Sequence, residues 1–383
     1  MLTAQKKIFD EPLDLNLEKL AGVKVVEIQH GNKLSSQSGV FSRPTILKRL
    51  KKIVKFVLKG FGATFDPRNS WFKATAAIIP DIVKETDIVV STYGPVSAHL
   101  IAAEMKKISP NIKWIADYRD PWSQNFRVYT KAYQRAKAEK LELSVVGQLA
   151  DEITTVSGNL AVSLGVLLSK EVHVVTNGFD ISEGALEENL NREKKYGSKP
   201  LKITYTGMIY PEYQDPRPLL IAISQLELEG VIQAGDILVE FFGASDEYAQ
   251  SLLKDNAHSS FISIKGHVPR EKALQAQVDS GLLLLLESSK PEAVGVLTGK
   301  VFEYISSGVP VLSLGSGRNS AIYQLLNETH TGFCAENDVN MIKNVLVDLL
   351  NGSRPEWFSP DVEVIRKYSR KSQAELFFKK LIC

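Results

Sequence analysis

The chain has 383 residues, enough for two domains at about 150 residues each. Its 44% apolar and 23% charged residues are those of an ordinary globular protein and exclude a largely disordered chain. A formal net charge of +2 excludes a protein built to wrap nucleic acid. The only cysteines, Cys334 and Cys383, lie far apart, which excludes a disulfide framework and a zinc site made of cysteine pairs.

Met1 to Asp10 carries two lysines and no long apolar core, so no signal peptide is expected. No run approaches the ~18 apolar residues of a spanning helix, and the expectation is a cytoplasmic protein. Val23–Ile28 is the first strand candidate. Next, Ile46 to Gly62 (ILKRLKKIVKFVLKGFG) places Ile46, Leu47, Leu50, Ile53, Val54, Val57, Leu58 and Phe61 on one helical face. Lys48, Arg49, Lys51, Lys52, Lys55 and Lys59 fill the remainder, and no acidic residue occurs between Ile28 and Phe65. Such a helix either packs on its own domain with a solvated basic face or lies on an anionic lipid surface, each cation then contributing ~1 kcal/mol.

Strand candidates continue with Asp87–Ser91, Lys113–Asp117, Glu152–Val156 and Val172–Thr176, with helical patterns at Ser97–Lys107 and Val128–Leu149 between them. Asp180 to Pro200 is polar and has no sustained apolar period, so it reads as an interdomain linker. A second series follows: Lys202–Tyr205, Ile237–Phe242, Phe261–Lys265, Gly281–Leu286 and Val309–Leu314, with a helix predicted over Pro218–Leu228. Near-continuous apolar strands alternating with helices predict an α/β protein with parallel sheets flanked by helices. The domains are drawn at 1–179, 201–355 after a linker over 180–200, and a terminal helical segment over 356–383 that returns to the first domain.

Ligands of open parallel sheets bind beyond the carboxyl ends of the strands. Three strands of the second series run into glycine, at Gly207, Gly243 and Gly266, followed in the last case by His267 and Val268. Glycine there serves either an ordinary turn or the close approach of a ligand. Gly295 to Leu314 (GVLTGKVFEYISSGVPVLSL) predicts a helix starting near Gly299 and Lys300 and stopping at Gly308. The helix start and Lys300 suit a diphosphate, and Glu303, one turn on, suits the hydroxyls of a ribose. The plain alternative is a solvated Lys300–Glu303 pair. Gly315-Ser316-Gly317 is a fragment of a dinucleotide fingerprint and by itself weak. Asp117, Arg119 and Asp120 offer either acid–base groups or an ion pair that shapes a loop; His99 and His173 read as structural, Tyr118 and Trp122 as core. No histidine pair has metal-ligand spacing.

The segment KVFEYISSGVPVL (300–312) resembles the carboxyl-terminal signature of GT-B glycosyltransferases, in particular the retaining family-four group. STYGPVSAHLIA (91–102), WIADYRDPW (114–122), ADEITTVS (150–157), VTNGFD (175–180) and ITYTGMIY (203–210) resemble the same group in the same order. The resemblance implies two Rossmann-like domains and transfer of a sugar from a nucleotide-sugar to a saccharide acceptor, with no metal or other cofactor. It implies that Lys300 holds the diphosphate, Glu303 the ribose, and the loop at His267 and Val268 faces the base, with Gly207, Gly243 and Gly299 on the donor side and Asp120 on the acceptor side. A lipid-linked acceptor would place the protein peripherally on the inner membrane face, in cell-surface polysaccharide synthesis, with the basic segment on the anionic lipid. Many family members carry a second glutamate where this chain has Gly295; the nearest acids are Glu287 and Glu292. Family members also open with a strand, a glycine-rich loop and a helix, whereas Met1-Leu2-Thr3-Ala4 reads as the end of the following strand, so the first domain is expected to be short by roughly 35–45 residues. The alternatives are a nucleotide-sugar epimerase of the same fold and a non-catalytic remnant of it.

Overall fold

The computed structural model of the protein describes residues 1–4, 22–28, 69–193, 196–243, 248, 251–252 and 259–383. The basic segment 46–62, with Lys48, Arg49, Lys51, Lys52, Lys55 and Lys59, lies outside the described residues. Two compact units form, one of Met1–Thr155 with Ala161–His173, the other of Val156–Leu160 with Val174–Cys383.

In the first unit, β1 (Leu2–Ala4) pairs in parallel with β2 (Val26–Ile28), Leu2 opposite Val26. A second parallel sheet runs β3 (Ile88–Thr92), β4 (Lys113–Tyr118), β5 (Glu152–Thr155), with the two-residue β6 (His173–Val174) at its edge. Trp114 to Tyr118 are buried on both faces of β4, which is why this stretch reads as nearly unbroken apolar sequence. The helix Val96–Ile108 packs on this sheet through Ala102 and Ala103, and its Ile101 and Met105 join Trp71, Ile79 and Ile112 in a second cluster. Beneath it, Trp114 Nε1 donates to Ser91 Oγ at 2.8 Å, and Ser91 Oγ meets His99 Nδ1 at 2.7 Å. His99 is fully buried, which pulls its pKa down to about 3, so the ring stays neutral at pH 7. The helical pattern over Val128–Leu149 forms as an α-helix over Ala132–Glu142 that widens into a π-helical turn over Leu143–Gly147.

The second unit holds one parallel sheet of six strands: β7 (Leu201–Thr206), β8 (Ile237–Phe242), β9 (Ile262–Gly266), β10 (Leu282–Leu286), β11 (Val311–Leu314) and β12 (Gly332–Glu336). Their order across the sheet is β12-β11-β10-β7-β8-β9. Strand β10 explains its own run of five leucines. Leu282, Leu284 and Leu286 enter the core on one face, and Leu283 and Leu285 enter the core on the other. Strand β12 was not anticipated, because Gly332-Phe333-Cys334 is only half-buried at the sheet edge and lacks an apolar run. Within 180–200 the chain forms a helix, Glu183–Asn191: the Ser182 side chain accepts from Ala185 N at 3.2 Å at its start, and Leu186 supplies the buried contact. The terminal segment forms two helices, Val362–Arg366 and Arg370–Leu381, the second capped by Ser369. They belong to the second unit, where Arg370 N donates to Phe179 O at 2.8 Å and Thr176 N donates to Gln373 Oε1 at 2.8 Å.

Candidate functional site

The strand order of the second unit places its candidate ligand corner. From β7 the chain moves outward through β8 and β9, then returns to the other side of β7 with β10 and continues to β11 and β12. The direction of winding therefore reverses between β7 and β10, and the loops leaving these two strands diverge there.

On the β7 side, Gly207, Gly243 and Gly266 stand side by side along the carboxyl edge. Gly207 N donates to Phe242 O at 2.8 Å and Gly243 N donates to Gly266 O at 2.7 Å, which extends the sheet ladder by one step into the loops. Gly207 has φ +115°, and a Cβ there would stand 3.1 Å from Lys300 Nζ. A Cβ on Gly243, at φ +87°, would press on the Gly207 backbone at 3.3 Å. Both positions thus need glycine for backbone conformation and for close approach.

On the β10 side, the helix Gly299–Ile305 carries Lys300 and Glu303. Lys300 Nζ reaches across to β7, donating to Tyr205 Oη at 2.8 Å and standing 4.0 Å from the Tyr205 ring centroid. Burial pulls the Lys300 ammonium down to about 8, against the charges of Glu287 and Glu303, which hold it up. Glu303 accepts from Arg270 Nη2 at 2.9 Å and from Gln277 Nε2 at 3.3 Å, and Gln277 also donates to Thr206 Oγ1 at 3.1 Å. Tyr304, fully buried, accepts from Thr206 N at 3.0 Å, which ties the helix to the end of β7. Glu287, the residue after β10, is buried and accepts from Thr298 Oγ1 at 3.3 Å.

No protein-family model and no characterised protein matches the sequence of the chain. Solved structures do match. The crystal structure of TarM aligns with a TM-score of 0.57 at 13% identity, over 82% of this chain and 58% of that one. A UDP-forming α,α-trehalose-phosphate synthase from Burkholderia xenovorans aligns with a TM-score of 0.57 at 10% identity, over 83% of this chain and 80% of that one. The fold is GT-B. The chain spans less than two thirds of the length of TarM, and at these identities the likeness carries fold alone.

Within this GT-B fold the expected donor-side residues gather unevenly. Gly207, Lys300 and Glu303 converge at the end of β7, and Gly243, at the end of β8, lies against the Gly207 backbone. Gly299 opens the Lys300 helix with open space where a Cβ would be. His267 is exposed and Val268 half-buried, both in the loop between β9 and the helix Arg270–Val278. Asp120 belongs to the first unit, in the loop after β4. Burial raises its carboxyl above the ordinary range, opposed by the Arg127 charge. Its neighbour Asp117 is committed elsewhere: it accepts from Arg119 Nε at 2.8 Å, Thr154 Oγ1 at 2.7 Å and Thr92 Oγ1 at 3.2 Å, so the pair Asp117–Arg119 shapes the loop. The Asp120 loop is also pinned from below, where Ser123 N donates to the buried Glu142 carboxylate at 3.0 Å.

Sequence reasoning missed Tyr205, Arg270, Gln277 and the position of Glu287. Arg270 follows the His267-Val268-Pro269 turn and could have been sought there. Gln277 carries no signal in sequence, since an interior glutamine of a helix is distinguished only by what it meets across the sheet. Gly295 leaves no room for a side chain, because a Cβ would lie 2.7 Å from Leu160 Cγ. Glu292 is exposed on a 3-10 turn, Pro291–Ala293. Among the described residues, no group of three or more histidine, cysteine, aspartate or glutamate side chains is arranged to hold a metal ion, and no helix is long and apolar enough to cross a membrane.

Proposed function

We propose that the chain is a glycosyltransferase that moves a sugar from a nucleotide-sugar donor to a saccharide acceptor. The observation that carries this reading is Lys300: a half-buried ammonium held beside Gly207 at the strand reversal, with a carboxylate one helical turn away. A cation in that setting meets the diphosphate oxygens, and the glycines let the phosphates approach the backbone. As the sugar departs, charge grows on the diphosphate, and a cation already in place stabilises it without reorganisation. The reading extends to a metal-independent, retaining reaction of the family-four type, with Asp120 on the acceptor side. The Burkholderia neighbour agrees with it in kind, being named as a UDP-forming synthase. The deciding experiment incubates the chain with labelled nucleotide-sugars and an extract of lipid-linked saccharides in EDTA. Labelled saccharide product supports the reading. Intact donor throughout, or an epimerised sugar, overturns it, and activity that returns only with Mg²⁺ or Mn²⁺ overturns its metal-free form.

Glu303 is assigned to the ribose hydroxyls, with Arg270 and Gln277 orienting its two oxygens. Glu303→Ala removes charge-assisted hydrogen bonds worth about 1.5–3 kcal/mol each. Nucleoside diphosphate affinity is expected to fall at least tenfold by calorimetry. The melting temperature should move little, because Arg270 is exposed and Gln277 keeps its bond to Thr206 Oγ1.

The lipid-linked acceptor and the inner-membrane location rest on the composition of residues 46–62. Binding to anionic vesicles is expected at low salt and should fade as the Debye length shrinks from ~10 Å at 0.1 M to ~3 Å at 1 M. Replacing Lys48, Lys51, Lys52 and Lys55 with glutamine should abolish most of it in a co-sedimentation series. Equal binding by that variant would remove the membrane from the proposal.

A further inference from the structure

Glu142 ends the helix Ala132–Glu142 as a fully buried acid in the first unit, and sugar transfer as read above makes no use of it. Burial pushes its carboxyl pKa up, because the charged form loses its water there. What surrounds the carboxyl group belongs to one short loop. Ser123 N donates to Glu142 Oε2 at 3.0 Å. The hydroxyls of Ser123 and Tyr118 also face it and offset part of the burial. Tyr118 Oη, Ser123 Oγ and Glu142 Oε1 are themselves buried and find no partner elsewhere among the described residues. Tyr118 is the last residue of β4, and Ser123 follows the buried Trp122, so one carboxyl group meets both ends of the segment that carries Asp120.

The helix is shaped around this contact. Directly after Glu142 it widens into the π-helical turn Leu143–Gly147. Such a turn holds one residue more than an α-helical turn, and turns of this kind recur at functional sites. Here the extra residue changes the phase of the helix, so that Glu142 meets the loop while Val145 and Val146 still reach the core. The loop is held further by the Arg119–Asp117 pair and by Trp122, which packs in the same core. Asp120 lies between these anchors. A loop that only had to turn a corner would need neither a buried carboxyl group nor a π turn, since asparagine or serine achieves that at the surface. Two unfavourable features meeting at one loop mark a demand on its geometry.

We propose that Glu142 is a positioning residue for Asp120: its carboxyl group clasps both ends of the loop 118–123 and so holds the Asp120 side chain where a hydroxyl of the saccharide acceptor binds. The inference rests on the glycosyltransferase reading, with Asp120 on its acceptor side. Glu142 itself touches no substrate and acts through the loop.

The test varies an extract of lipid-linked saccharides against the labelled nucleotide-sugar that the unaltered full chain turns over. Glu142→Ala should raise the half-saturating amount of extract about tenfold, with the half-saturating donor concentration and the calorimetric nucleoside diphosphate affinity within about twofold. Glu142→Gln should restore most of the loss, because its amide oxygen accepts from Ser123 N and its amide nitrogen donates to Tyr118. Asp120→Ala should show the same acceptor loss, and combining it with Glu142→Ala should add nothing further, a coupling that a merely structural role would not give. Amide hydrogen exchange over 119–123 should quicken in Glu142→Ala and not in Glu142→Gln. If Glu142→Ala does not fold, Tyr118→Phe removes a single hydroxyl and should raise the half-saturating extract about threefold with the donor values unmoved. Unchanged acceptor dependence or loop exchange in a folded variant overturns the inference. So does an additive loss in the double variant, or donor affinity that falls in step with the acceptor, and in these cases the glycosyltransferase reading stands. An Asp120→Ala variant that behaves as the unaltered chain removes Asp120 from the acceptor side and the inference with it. Absence of transfer by the unaltered chain overturns both.

Discussion

Lys300→Ala is expected to weaken nucleoside diphosphate binding about a hundredfold at pH 7 and to reduce sugar transfer further, by roughly 10³. One ammonium contacting phosphate oxygens makes charge-assisted hydrogen bonds of about 1.5–3 kcal/mol each, and the charge that develops on the leaving group adds to this only in the transition state. The same group gives the site a pH dependence of known sign. Burial holds its pKa at about 8, and a bound anion raises it, so binding takes up the proton that Lys300 loses above that value. Affinity should be flat below pH 7 and should then fall towards tenfold per pH unit above about 8. Lys300→Arg tests the assignment, since a guanidinium does not titrate in this range. In that variant the alkaline fall should vanish from the calorimetric profile. A fall that persists would move the titration to another group.

Gly308→Ala should produce the largest loss of stability among single-methyl additions in the second unit. The helix Gly299–Ile305 ends here, and the chain turns into β11 with Gly308 at φ +69°. A Cβ at this position would lie 2.0 Å from the carbonyl oxygen of Asn189. That oxygen belongs to backbone at the end of Glu183–Asn191, whose Asn189 side chain donates to Ser306 O at 3.1 Å, so it cannot swing aside as a flexible side chain could. Left-handed strain and displacement of a packed helix together should cost about 3 kcal/mol or more. For a unit of this size, that corresponds to a melting temperature lower by about 6–12 °C. Gly184→Ala, in the same helix with open space around it, is the control and should be near neutral.

Much of the strand pattern could be read in advance because parallel strands buried on both faces write themselves as apolar runs. Leu282–Leu286 and Trp114–Tyr118 are of this kind. Strands that meet the core on one side only were harder: β12 has no such run, and β6 keeps two residues of the five expected. The helix over Glu183–Asn191 was hidden for a related reason. It buries Leu186 alone, so no apolar stripe marks it. At the candidate site, Lys300, Glu303 and the glycines were legible from spacing and from the resemblance, because each belongs to a short contiguous motif. Tyr205, Gln277 and Glu287 were not, because their roles come from neighbours on other strands. Tyr205 is an ordinary strand tyrosine until Lys300 arrives over its ring, and Glu287 is an ordinary strand-end acid until the Lys300 ammonium comes within reach of its charge.

The strand order has a consequence for how the site comes into being. Strands β7, β8 and β9 are consecutive in the chain and can pair as they leave the ribosome, laying down the glycine row early. The partner on the other side of β7 is β10, which arrives only after both intervening crossovers have been made. Until then β7 is an open edge, exposing unpaired backbone groups and one face of Tyr205. Closing the sheet at β7–β10 is therefore a non-local step with a high loop-closure cost, and it is the step that brings Lys300 to Tyr205. Nucleotide affinity should thus appear as one of the last events of refolding, and a nascent chain stalled before β10 should be a client for chaperones while still unable to hold a diphosphate.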